Sequence, residues 1–447
     1  MVQKVLLLGS GFVAEPVVDV LGFSEGIELT VGCRTLETAQ KLAGPSESNA
    51  VSVDVSNTEQ FEKVFKDHDV VISLIPYIYH PAVVKSAIKL KKDVVTSSYI
   101  SPALKELEPE IKKAGITVMN EIGLDPGIDH LYAVKTIDEV HRANGKIKSF
   151  VSYCGGLPAP EDSDNPLGYK FSWSSRGVLL ALRNSAKYYE NGELVQIKSE
   201  DLMATAKPYF IYPGYSFVCY PNRDSTAFKE LYHIPEAETV IRGTLRYQGF
   251  PEFIKAFVDM GLLKDEENDI FKSEKSWRQA LGEYLGVAGD SKEELIAKID
   301  SLATWKSDED RERILNGFGW LGFYSNDNKI TPRGTPLDTL CATLEELMQY
   351  EEQERDLVVL QHKFGIEWAD GTTETRTSTL VAYGDSNRYS AMAATVGLPV
   401  AIATKMVLNK EIKGPGLVAP YSPEINDPIM DKLKNLYGIY LKEKTIA

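Results

Sequence analysis

The chain has 447 residues, 43% hydrophobic and 25% charged, with a formal net charge of −15. That length exceeds one compact core and predicts two or three domains. The acidic excess argues against nucleic acid or an anionic membrane as a partner, since both call for a basic surface, and favours a protein handling small molecules. Cys33, Cys154, Cys219 and Cys341 lie far apart without paired spacing, so neither a disulfide framework nor a metal site is expected. No apolar run is expected to reach membrane-spanning length. Met1 leads straight into a strand, leaving no room for a leader, and a cytoplasmic location is the simplest expectation.

Lys4 to Ala14 reads KVLLLGSGFVA, an apolar strand turning into a helix. Gly9 permits the tight turn, Gly11 lets backbone approach a pyrophosphate, and Ala14 lets helix and strand pack closely. The helix start then offers N–H groups to an anion. A helix from Val13 to Leu21 and a second strand, Ile27 to Gly32, complete a βαβ unit. Where an NAD-type site carries an acidic residue, this chain has Cys33, Arg34 and Thr35. Arg34 predicts NADP(H), with its guanidinium on the 2′-phosphate; a surface arginine at a strand end is the plainer alternative.

Further strands are expected at Ala50–Val55, Asp69–Ile75, Asp93–Ser97 and Gly115–Asn120, with Ser56 and Glu59 as a capping box. Apolar strands alternating with helices predict a parallel, doubly wound sheet of Rossmann type, with ligands at the strands' carboxyl ends. Candidate segments there are Ile75, Ser97 to Tyr99, and Glu121 to His130. From Lys146 the pattern predicts a second α/β domain with a mixed sheet, and residues 236–355 read as a helical subdomain with capping boxes Ser291/Glu294 and Thr343/Glu346. An apolar helix at Ser390–Leu408 suits packing back on the nucleotide domain. The expected division is 1–125 with 390–447, 126–235 with 356–389, and 236–355.

Arg223 in YPNRDS and Arg246 in GTLRYQG read as turn-like, aromatic-flanked arginines suited to substrate carboxylates. Tyr99 and Asp125 follow strand ends, where a hydroxyl and a carboxylate can orient an amine and handle its proton. Cys154 precedes a double glycine and is a further catalytic candidate, its thiol facing the site, although a buried inert thiol is the stronger reading of it. His130 and His141 read as structural.

The blocks VLLLGSGFVA, VVTSSYISPAL, NEIGLDPGIDHLYAVKTIDEVH, YCGGLPAPEDSDNPLGYKFSWSSRGVL, YPNRDS through IRGTLRYQGFPEF, and GPGLVAPYSPEINDPIM together resemble the saccharopine reductases. These are the NADP-dependent, L-glutamate-forming saccharopine dehydrogenases of lysine biosynthesis. The resemblance spans the chain. It implies condensation of L-glutamate with α-aminoadipate semialdehyde and reduction of the imine to saccharopine, a tricarboxylate amine, reversibly. It implies NADP(H) contacts at Gly9, Ser10, Gly11, Phe12 and Val13, at Cys33, Arg34 and Thr35, at Asp54 and Val55, and at Ile75, Ser97, Ser98, Leu124, Asp125 and Pro126. It implies substrate contacts at Ser98, Tyr99, Asp125, Trp173, Arg223, Thr244, Leu245 and Arg246, and a homodimer formed through the second domain. The alternatives are the NAD-dependent, lysine-forming saccharopine dehydrogenase and a non-catalytic NADP(H)-binding sensor.

Overall fold

The computed structural model describes residues 2–289 and 291–446. The first part alternates strand and helix: β1 (Gln3–Leu8), α1 (Glu15–Gly22), β2 (Ile27–Cys33), α2 (Leu36–Ala43), β3 (Asn49–Ser52) and α3 (Thr58–Phe65). It continues with β4 (Val70–Ser73), α4 (His80–Leu90), β5 (Asp93–Val95), α5 (Pro102–Glu106), α6 (Glu108–Ala114), β6 (Thr117–Met119) and α7 (Ile128–Arg142). Next come β7 (Lys146–Pro158), α8 (Ser175–Ala181), β8 (Ala186–Glu190), β9 (Glu193–Ile197), β10 (Lys207–Tyr209), β11 (Phe217–Pro221), α9 (Phe228–Leu231) and β12 (Thr239–Tyr247). A helical run follows, α10 (Phe250–Asp259), α11 (Trp277–Leu285), α12 (Lys292–Leu302), α13 (Asp308–Trp320) and α14 (Pro336–Leu347). The chain closes with β13 (Asp356–Glu367), β14 (Thr373–Tyr383), α15 (Ala391–Leu408), β15 (Gly416–Val418), α16 (Pro423–Tyr437) and β16 (Lys442–Thr445).

Two compact units result. One comprises the chain up to Ile147, Glu230–Pro235 and the chain from His362; the other comprises Lys148–Lys229 and Glu236–Gln361. In the first, a parallel sheet runs β15-β6-β5-β4-β1-β2-β3. β1 pairs with β2 on one side and β4 on the other, so the strand order reverses there. Such a reversal leaves a crevice at the carboxyl ends of the strands. Leu6, Leu8, Val71, Val94 and Val118 from these strands meet Phe61, Phe65 and Val83 from the helices in one buried core. Strands covered on both faces are why the sequence reads there as continuous apolar runs. α15 is long and apolar enough to span a membrane, which corrects the expectation that no such run exists; 83% of it is buried inside the protein. It packs on the start of α1 and the turn before it: a Cβ at Gly397 would lie 2.7 Å from the Val13 carbonyl oxygen and 3.0 Å from the Pro16 side chain.

The second unit holds a mixed sheet in the order β10-β11-β12-β7-β13, with β12 parallel to β7 and antiparallel to β11. Within the stretch assigned to the helical subdomain, residues 239–247 form β12 instead, an interior strand covered on both faces, where burial erases the alternation that would mark it. Nor do the helices after it stand apart, because Phe253, Phe257, Trp277 and Phe318 share one core with Tyr169 and Tyr220.

Two caps are corrected. Asn57, not Ser56, caps α3 by accepting from the Gln60 N–H, while Ser56 turns to Asp54. Thr343 lies inside α14, whose cap is Thr335, and its hydroxyl accepts from Trp277 Nε1. The Ser291/Glu294 box forms as expected.

Candidate functional site

The turn after β1 is held on its inner side and open on its outer side. Gly9 has φ +106°, a region that favours glycine, and a Cβ there would lie 2.9 Å from the Leu74 carbonyl oxygen after β4. A Cβ at Gly11 would meet nothing within 4 Å. Ala14 is fully buried, and its N–H donates to the Gly11 carbonyl at 3.1 Å. Ser10 and Val13 are half-buried and Phe12 is exposed, so the turn presents backbone and the start of α1 outward. That open cradle at a helix N-terminus fits a pyrophosphate.

At the end of β2, Cys33 is buried, and its carbonyl accepts the Val53 N–H at 2.8 Å. Arg34 and Thr35 are exposed beside it. Asp54 accepts from the Ser56 hydroxyl at 2.7 Å and N–H at 2.9 Å. Those bonds, with a smaller contribution from Arg34, hold its carboxyl below the usual range. Val55 follows it, half-buried.

Three loops follow β4, β5 and β6 at the same end of the sheet. Ile75, Ser97, Ser98 and Tyr99 are half-buried, and Leu124 and Pro126 are buried. Tyr99 donates its hydroxyl to Asp125 Oδ1 at 2.6 Å, which joins the second and third loops. The third loop folds back on itself: the Gly123 N–H donates to the Pro126 carbonyl at 2.9 Å and the Ile128 N–H to the Gly123 carbonyl at 2.8 Å. A Cβ at Gly127 would sit 2.0 Å from the Gly123 carbonyl oxygen. Asp129 Oδ1 accepts the Gly127 N–H at 2.6 Å.

Sequence reasoning missed His80 in this unit and reached Glu121 only as the first residue of a candidate segment. His80 opens α4 and is buried; its Nδ1 meets Ser73 Oγ at 3.0 Å, and its Nε2 meets Ser98 Oγ at 2.9 Å and Thr96 Oγ1 at 3.1 Å. Burial pushes its pKa down to about 4, so the ring is neutral near pH 7. Glu121 is also buried, and its Oε2 lies 3.0 Å from His130 Nε2. His130 is thereby placed among structural partners, its Nδ1 2.6 Å from the Tyr232 hydroxyl.

In the second unit, β-sheet register gathers the other candidates. Thr244 pairs with Cys154 on β7 and Tyr220 on β11, and Arg246 pairs with Val218. Thr244 and Arg246 share one face of β12 while Leu245, fully buried, points to the other. Arg246 thus lies on a strand rather than in the turn expected for it. Its guanidinium carbon sits 4.8 Å from the Tyr169 ring centre and 5.3 Å from that of Phe250, and Nη1 donates to the Leu245 carbonyl at 2.8 Å. Arg246 is 6% exposed. Its buried Nε has no hydrogen-bond partner among the described residues. Asn222 Nδ2 donates to Thr244 Oγ1 at 2.9 Å. Arg223 follows β11, and Trp173 lies where a Cβ at Gly177 would come within 2.8 Å of its ring; both are half-buried. Cys154 is buried on β7.

A saccharopine dehydrogenase NADP binding domain model matches residues 5–119, and a saccharopine dehydrogenase C-terminal domain model matches residues 123–439. Over 445 residues, covering 100% of both chains, the sequence is 76% identical to the saccharopine dehydrogenase of Saccharomyces cerevisiae described as NADP(+)-dependent and L-glutamate-forming. A protein of the same description from Pyricularia oryzae is 60% identical, covering 100% of this chain and 99% of its own. The solved apo form of the histidine-tagged L-Glu-forming saccharopine dehydrogenase from Saccharomyces cerevisiae superposes with a TM-score of 0.91 over 100% of both chains.

Proposed function

Because the chain belongs to the saccharopine dehydrogenase family, we propose that it is an oxidoreductase of lysine biosynthesis. It reduces the imine of L-glutamate and α-aminoadipate semialdehyde to saccharopine with NADPH. Gly9 to Val13 and the start of α1 receive the pyrophosphate, Cys33 to Thr35 the 2′-phosphate, Asp54 and Val55 the adenine. Ile75, Ser97, Ser98 and Leu124 to Pro126 lie toward the nicotinamide. When bound, NADPH supplies a hydride to the imine carbon.

The observation that carries the substrate reading is Arg246. A buried guanidinium, stacked on Tyr169 and Phe250 and with no ion-pair partner among the described residues, suits a ligand carboxylate. Arg223, Thr244, Trp173 and the Leu245 backbone complete that set. Tyr99 and Asp125 orient the amine: the carboxylate holds the ammonium while the hydroxyl fixes the carboxylate. As glutamate condenses, its nitrogen forms a bond to the aldehyde carbon and water leaves. That hydride would neutralise the protonated imine, so the protein need supply no strong general acid there, and Cys154 is given no proton to move. The lysine-forming reaction is not favoured, since Arg34 stands where an NAD site has an acid. The protein works in the cytoplasm as a homodimer formed through the second unit, where Phe210 is 73% exposed.

The test follows NADPH absorbance with glutamate and the semialdehyde together. Oxidation that requires both is expected. NADPH binding without turnover would support a sensor instead, and faster turnover with NADH would overturn the cofactor assignment. Sedimentation at micromolar concentration checks the dimer.

A further inference from the structure

Glu121, two residues beyond the end of β6, brackets Tyr99 from both sides. Its N–H donates to the Ser98 carbonyl at 3.1 Å. Its Oε1 accepts the Ile100 N–H at 2.9 Å. The residue has φ +58°, an uncommon conformation for a glutamate. Its carboxylate is buried among donors: Tyr421 donates its hydroxyl to Oε2 at 2.5 Å and His130 Nε2 lies 3.0 Å away. His130 in turn meets Tyr232 at 2.6 Å and opens α7 beside Asp129, whose carboxylate holds Gly127 at the end of the Asp125 loop. The same small cluster therefore fixes the backbone on either side of Tyr99 and both ends of the loop that carries Asp125.

We infer that Glu121 is a positioning residue for the Tyr99–Asp125 pair, acting through the Ile100 N–H and through His130. This rests on the proposed reaction, in which Tyr99 and Asp125 orient the substrate amine. Without the carboxylate, the Tyr99 segment loses its tie on the Ile100 side and keeps those on the Ser98 side, to the Glu121 N–H and to His80, which loosens the line of the hydroxyl to Asp125. The cofactor turn after β1 forms none of these bonds.

Glu121→Gly suits the backbone conformation while removing the carboxylate, and Glu121→Gln restores an acceptor of the same shape. The expected result is a fall in kcat/KM for glutamate of about tenfold or more for Glu121→Gly, with the NADPH dissociation constant within about twofold of the parent. Glu121→Gln is expected to recover to within about threefold of the parent, and in a Tyr99→Phe background Glu121→Gly is expected to cost less than about twofold. Parental kcat/KM in Glu121→Gly, an equal loss in the Tyr99→Phe background, or a matching loss of NADPH affinity would each overturn the inference. Should Glu121→Gly fail to fold, Tyr421→Phe removes one donor from the same carboxylate. A loss that vanishes in the Tyr99→Phe background then supports the inference, and an independent loss or none overturns it. A parent that binds NADPH but shows no glutamate-dependent turnover would overturn the proposed reaction itself.

Discussion

Replacing Arg246 with Met separates a residue kept for its ligand from one kept for the fold. The guanidinium is buried and stacked on two rings, donates to one carbonyl, and leaves Nε without a partner. A buried charge without a counter-charge costs several kcal/mol of desolvation. The two ring contacts return about 0.5–2 kcal/mol each. Methionine fills a similar volume without charge, so the folded state is expected to be unchanged or more stable, by up to about 2 kcal/mol. At about 2–4 °C per kcal/mol that corresponds to a rise in Tm of up to about 4–8 °C. Binding is expected to move the other way. A charge-assisted contact to a carboxylate contributes about 1.5–3 kcal/mol, which raises KM for glutamate or saccharopine about 10- to 150-fold. Initial rates at varied substrate, thermal melts and an NADPH fluorescence titration measure the three quantities separately. A fall in Tm of more than about 5 °C would make Arg246 a structural residue. A KM within twofold for every carboxylate substrate would remove it from the site.

Gly9→Ala is expected to lose stability by about 1–3 kcal/mol, because its Cβ would press on the Leu74 carbonyl oxygen at φ +106°; Gly11→Ala, with open space at that atom, is expected to melt like the parent yet bind NADPH more weakly, and equal melting of the two variants would refute the distinction. Arg34→Asp is expected to lower the NADPH-over-NADH preference at least about tenfold, read from kcat/KM for each cofactor; an unchanged ratio would make Arg34 a surface residue. His80, with a pKa near 4 in the fold, takes a proton near 6.5 when the chain unfolds, so lowering the pH from 6.5 to 4 favours the unfolded state by roughly 3 kcal/mol. His80→Asn should flatten urea-derived stability across that window by about 1.4 kcal/mol per pH unit, and a slope equal to the parent's would refute the assignment.

Local chemistry made the nucleotide unit legible. A glycine turn needs only neighbouring residues to declare itself, and the β1–α1 turn, the absent acid at Arg34 and the loops after β5 and β6 were all readable on that basis. Reading failed where burial or distance replaces local pattern. β12 was missed because a strand covered on both faces has no polar side, and the sequence around Gly243 and Arg246 reads as a turn until Tyr169 and Phe250 are placed around the guanidinium. β15 is three residues long and joins the sheet beside β6 from nearly three hundred positions away, so no window of sequence contains its partner. The caps of α3 and α14 failed differently, since neighbouring polar residues compete for the same N–H groups and side-chain packing decides between them.

The acidic composition bears on chemistry in the same non-local way. A net charge of −15 describes what the whole surface shows to distant ions, whereas a carboxylate ligand responds to the few charges within about a Debye length, about 8 Å in physiological salt. Arg246 meets that requirement by being removed from water: aromatic faces and its own strand fix its geometry, and no protein acid offsets its charge among the described residues. Glu121 presents the converse case. It is a buried acid kept ionised by His130 and by hydrogen bonds from Tyr421 and the Ile100 N–H, with its pKa held low against the upward push of burial. In the proposed reaction Arg246 keeps its charge for a ligand, whereas Glu121 satisfies its charge within the fold. The sequence shows both only as single charged letters, and burial with partner geometry is what distinguishes a residue that binds from one that positions.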